Sequence, residues 1–145
     1  MIKLLLILCF STLLFSKSLY TLDNVKNLNF YLINKTDFLS SDDKKNIEET
    51  IKERLIKNGF VFGKTDATLF LVVVNAREIG KSFAINIEIG LAEDVTTRRA
   101  GNIKTMAHTY LASELIESDK PYEDTLETIK FLLTQFLEAY KDDNE

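Results

Sequence analysis

Between Ser82 and Glu93 the chain reads SFAINIEIGLAE, and no other stretch restricts its possible folds as tightly. Phe83, Ile85, Ile87, Ile89 and Leu91 occupy alternate positions, with Asn86, Glu88 and Gly90 between them. Successive side chains of a strand point to opposite faces, so this segment is a strand with one dry face and one wet face. The dry face must be covered, and that requires a second layer.

Two helical patterns can supply that layer. DDKKNIEETIKERLIKNG places Ile47, Ile51 and Leu55 on one stripe, with Glu48–Lys52 and Glu53–Lys57 at i, i+4 in the favourable orientation. Ser40 or Ser41 can cap it, Asp42 and Asp43 suit its positive end, and Gly59 can end it in a left-handed conformation. PYEDTLETIKFLLTQFLEAYK opens on Pro121, suited to a first helical turn. It spaces Tyr122, Leu126, Ile129, Leu133, Phe136 and Tyr140 along a second stripe, which Leu132 and Leu137 widen.

Three further segments read as strands. Val25–Asn34 sets Leu28, Phe30 and Leu32 against Tyr31 and Ile33. Ala67–Val74 is apolar without alternation, as in a strand buried on both faces or paired centrally. Asn102–Leu115 is β-branched enough to pair with Ser82–Glu93, although its inward face is ambiguous, and the turn between them falls near Ala100-Gly101-Asn102. Strands separated by a helix favour a parallel crossover, and strands joined by short loops favour antiparallel pairing. The expected fold is α+β: a two-layer sandwich with a mixed four-stranded sheet in the order β-α-β-β-β-α. Both helices cover the Phe83/Ile85/Ile87 face, and a long hairpin joins the third and fourth strands.

The N-terminal KLLLILCFSTLLFSKS bears on location. Thirteen uncharged residues lie between Lys3 and Lys17. As a helix they reach about 20 Å, short of the roughly 30 Å of hydrocarbon in a bilayer. A basic start, a short apolar centre and small residues at Ser16 and Ser18 fit a secretory signal cut after Ser18. Leu8 precedes Cys9 where a lipoprotein signal needs a small residue, which disfavours lipidation. The expected mature chain is then a single domain over residues 19–145 with no cysteine, and it is expected in the periplasm. Lys plus Arg falls from 18 to 16 against 22 acids, a net charge of −6. That balance disfavours nucleic acid as a partner.

No motif marks chemistry. His108 is the sole histidine, no set of ligand residues has metal-site spacing, and no motif marks a nucleophile for a triad. NGFVFGKT resembles a phosphate loop only faintly. Three residues instead of four separate its glycines, and it follows a helix instead of a strand. The expectation is no catalytic residue, no cofactor and no metal.

The strand-helix opening and the run NGFVFGKTDATLFLVVV before a long hairpin resemble the small α/β lipoproteins of the bacterial envelope, of the LptE-like lipopolysaccharide-assembly type. The missing lipobox departs from that family and counts against a cysteine anchor, while association with the outer membrane stays open. The resemblance implies a partner-binding or assembly role and transfers no functional residue.

The candidate interaction residues follow from the hairpin and the wet face. Arg98 and Arg99, with Lys104 close by, fall at the hairpin tip of an acidic chain, while Glu88 and His108 fall on the open face. Arginine's planar fork suits carboxylate and phosphate alike, so the expected partner is an envelope protein, with contact to anionic lipid or lipopolysaccharide also open. The alternative function is a carrier of lipid or a small apolar ligand held between helices and sheet. No feature of the chain indicates its oligomeric state.

Overall fold

The computed structural model describes residues 21–65 and 67–145, so the expected signal segment lies outside the described residues. Seven elements follow one another: β1 (Asn27–Lys35), α1 (Ser41–Lys57), β2 (Val61–Phe62), β3 (Thr68–Ile79), β4 (Ser82–Thr96), β5 (Lys104–Ser118) and α2 (Pro121–Asn144). The sheet has five strands in the order β2-β1-β3-β4-β5, correcting the expected four. The extra strand is two residues beside the start of β1, too short to carry a periodic signal. The fold is otherwise of the expected α+β kind, with β1 parallel to β3 across α1 and β3, β4 and β5 antiparallel in sequence.

Ser40 starts α1 with a capping box. Its Oγ accepts from the Asp43 amide at 3.1 Å, and the Asp43 carboxylate accepts from the Ser40 amide at 2.9 Å. At the other end Gly59, at φ 89°, lets its own N–H reach Ile56 O and the Phe60 N–H reach Leu55 O. This closure turns the buried Phe60 back onto the core. Helix α2 enters through Ser118, whose hydroxyl accepts the Lys120 amide at 2.8 Å and donates to Asp124.

The register defines the two faces of the sheet. Phe70 opposes Leu91, Val72 opposes Ile89 and Val74 opposes Ile87, and all six are fully buried under the helices. Ile47, Ile51 and Leu55 of α1, with Ile129, Leu132, Leu133 and Phe136 of α2, close this core from above. The other face carries Leu71 opposite Gly90, Val73 opposite Glu88 and Asn75 opposite Asn86, with no described layer over it. Strand β3 is therefore central but one-sided. Its alternate residues Leu69, Leu71 and Val73 are only half-buried, which corrects the reading of burial on both faces.

Strand β5 explains its own ambiguity. Leu91 opposes Tyr110 while Ala92 opposes His108, so Thr109 is an extra residue in a bulge. Before it Thr105 and Ala107 share the helix side; after it Tyr110, Ala112 and Ile116 do. A bulge switches the parity of alternation, so no single alternating pattern runs through the strand.

Two outcomes are expected. Ile87→Asp unfolds the domain, because it places an unpaired charge among fully buried residues, whereas Glu88→Ala on the open face shifts the melting midpoint little. Equal effects in thermal melts would mean that the faces are reversed. Ser40→Ala costs about 1 kcal/mol, the usual worth of an N-cap. The Ser40 hydroxyl and then the Ser40 amide, both bonded to Asp43, hold its carboxyl below the ordinary carboxylate range. This contribution is present above the unfolded value and lost as pH falls through the folded one. The gap between wild type and Ser40→Ala should therefore narrow in melts taken below about pH 4.

Candidate functional site

The core ends at a definite point along the β4–β5 hairpin. Strand β3 pairs with β4 as far as Ala92, and beyond it Glu93–Ala107, among the described residues, pairs only with itself. No residue of this arm is buried. Its paired part is Glu93 to Thr96 against Lys104 to Ala107, about 13 Å at 3.3 Å per residue. The free ribbon is thus shorter than the whole hairpin suggested, because the twelve-residue β3 backs most of β4.

The base of the arm is clamped. Glu93 accepts from the Thr68 hydroxyl at 2.9 Å through one carboxylate oxygen and from the Thr109 hydroxyl at 2.6 Å through the other. One side chain therefore ties the bulge to the start of β3. Gly90 permits the close approach opposite it. A Cβ there would stand 3.1 Å from both His108 Nδ1 and the Tyr110 carbonyl oxygen.

The five residues singled out in the sequence divide into two groups. Arg98, Arg99 and Lys104 are exposed at the tip, where the chain turns through Gly101 (φ 92°) and Asn102 (φ 45°). The Asn102 amide donates to Arg99 O and the Thr97 amide to Ile103 O, which closes the turn. Glu88 and His108 lie on the open face but opposite different partners. Glu88 faces Val73 and Ser113 and accepts from Asn86 Nδ2 at 2.8 Å; His108 is exposed, faces Ala92 and lies against Gly90. The fold does not bring them together with the arginines.

Sequence reasoning missed the apolar part of the surface. Tyr31, Ile33, Leu111 and Leu115 are exposed on the open face beside half-buried Leu71 and Val73. On the arm Ile103 is 50 % exposed and Met106 is 55 % exposed, adjacent to the three cations. The signal was present, because Tyr31 and Ile33 oppose Leu28, Phe30 and Leu32 on a strand apolar on both sides. What the sequence lacked was the knowledge that no layer of the described residues covers the second side.

Among the described residues no three His, Cys, Asp or Glu side chains group as a metal site, and no helix is long and apolar enough to cross a membrane. The chain matches no protein-family model, and comparison with curated proteins finds no match.

Glu93→Ala removes both hydroxyl contacts at once. Its expected cost is about 1–3 kcal/mol, as for hydrogen bonds to a charged group. Amide exchange over residues 93–107 should quicken while Ile85–Leu91 stays protected, as measured by exchange mass spectrometry. Uniform loss of protection would show that Glu93 supports the whole sheet instead of the arm.

Proposed function

We propose that this chain is a non-enzymatic interaction module of the bacterial cell envelope, working in the periplasm and docking a protein partner through its hairpin arm. The observation that carries the reading is the arm itself. A two-stranded ribbon without a third strand is marginal in water. This one holds no buried residue, yet it presents Ile103 and Met106 beside Arg98, Arg99 and Lys104. Apolar residues within a charged rim are the composition of docking surfaces. The cations, on a chain of net charge −4, suit an acidic partner and would steer its approach.

The periplasmic location rests on the N-terminal segment, and the assembly role is supported by the resemblance to LptE-like proteins in element order and pattern. The carrier alternative is less well supported. Phe136 is fully buried and its ring centroid lies 5.8 Å from that of Phe60, 5.3 Å from Phe70 and 5.2 Å from Tyr110. Aromatic rings fill the layer where an apolar ligand would sit.

Replacing Arg98 and Arg99 together by Glu tests the reading. The tip changes by four charges while nothing buried is disturbed, so stability should move by no more than ~0.5 kcal/mol. Capture of the envelope partner by cross-linking and mass spectrometry should fall sharply. Wild-type capture should also weaken with added salt, since exposed charges are screened over ~10 Å at 0.1 M. Normal capture by the double variant would sink the arm as the docking element. Recovery of anionic lipid without protein would replace the protein partner with a membrane surface.

A further inference from the structure

Strand β5 is the outermost strand on its side, and from Tyr110 to Ser118 its outer edge meets no other strand of the described residues. Proteins guard such edges with lysine, proline, bulges or very short strands. The opposite edge is guarded in this way at its start: β2 spans two residues beside Asn27 and Leu28, and Lys52 Nζ stands 5.6 Å from the ring centroids of both Phe30 and Phe62, while Asn29–Lys35 of β1 meets no further strand among the described residues. Past its bulge, Thr109–Ser118 contains no lysine, arginine or proline, and its charges are the carboxylates of Glu114 and Glu117. The edge is apolar on its open face, where Leu111 and Leu115 flank it, the latter 71 % exposed. On the helix side Phe131, 49 % exposed, lines a groove with Ile116 and Thr128, together with the carboxylates Glu114 and Glu127.

We propose that this edge takes β5 of a second copy of the chain, paired antiparallel about a twofold axis at Ser113, so that two five-stranded sheets become one of ten strands. The residues around Ser113 are self-complementary. In that register Leu111 faces Leu115 of the second copy, Tyr110 faces Ile116 and Ala112 faces Glu114. Directly opposed residues of an antiparallel pair share a face, so each apolar pair falls on its proper side of the joined sheet. Moving the axis to Glu114 sets two carboxylates opposite each other and Leu111 against Glu117. Moving it to Ala112 sets Tyr110 against Glu114 and Leu111 against Ser113. Of these three axes, the Ser113 axis alone sets both leucines against leucines and no carboxylate directly opposite another. The bulge at Thr109 ends the added ladder before the arm, so the two arms leave the joined sheet at opposite ends and stay free. This association needs nothing from the arm's proposed partner.

The test uses the full chain carrying Cys9→Ser and Ser113→Cys, which leaves one thiol at the axis. Directly opposed Cα atoms lie about 4.5–5.5 Å apart, within the roughly 4.4–6.8 Å that a disulfide spans. Copper-phenanthroline oxidation should convert most of the chain to a covalent dimer, and wild-type protein should sediment at twice the chain mass at ~0.1 mM, where mass action favours association. Leu111→Lys with Leu115→Lys should keep the far-ultraviolet circular dichroism, reduce the mass to one chain and cut cross-linking at least tenfold. A thiol at Tyr31, on the open face away from the edge, should cross-link far less than one at Ser113. Sedimentation of wild type as a single chain together with failure of Ser113→Cys to cross-link would overturn the proposal. So would equal cross-linking through Tyr31→Cys, which would mean that the open face or the β1 edge associates and not the β5 edge. A purified species in which the edge holds a segment of another protein would overturn it as well.

Discussion

Phe136 is the point at which the two layers are joined. Its ring meets Phe60 just past the end of α1, Phe70 in the central strand and Tyr110 next to the β5 bulge, and Phe60 in turn lies 4.5 Å from Tyr140 between ring centroids. Each such pair is worth about 0.5–1.5 kcal/mol beyond the area it buries. The geometry matters more than the sum. Helix α1 has to stop at Gly59 for Phe60 to arrive, and β5 has to change phase at Thr109 for Tyr110 to point inward. The turn chemistry at one end and the bulge at the other thus converge on one cluster.

How much of this was legible depends on the range of the signal. The faces of β4 and the stripes of α1 and α2 are local patterns, and they appear in the structure as read. Gly101 and Asn102 likewise marked the hairpin tip, which placed Arg98 and Arg99 correctly. Strand β2 was invisible because two residues define no period. The inward face of β5 was obscured because its parity changes at the bulge. The apolar residues of the open face were misjudged for a global reason: whether Leu71 and Val73 are covered depends on how many layers the whole chain can build. The two helices of the described residues suffice for one side of the sheet, and both lie on that side.

That one-sidedness connects the parts of the surface. Among the described residues nothing covers Tyr31, Ile33, Leu111 and Leu115, on a face that continues to His108 and then to Met106 and Lys104 of the arm. An acidic body and a basic tip are separated along the same element. Charge separated over that distance orients a molecule as it approaches a partner, before any contact is made.

The bulge at Thr109 has a meaning beyond its local geometry. It acts as a phase switch between a part of β5 whose side chains are dictated by the core and a part whose side chains are not. Were Thr109 to pair in register with Ala92 instead of bulging, Lys104, Met106 and His108 would fall on the helix side, and Thr105 and Ala107 would take their place. What the arm displays outward is therefore set by the bulging of a single residue. The arm's composition can drift without cost to the core, so long as that residue stays in place.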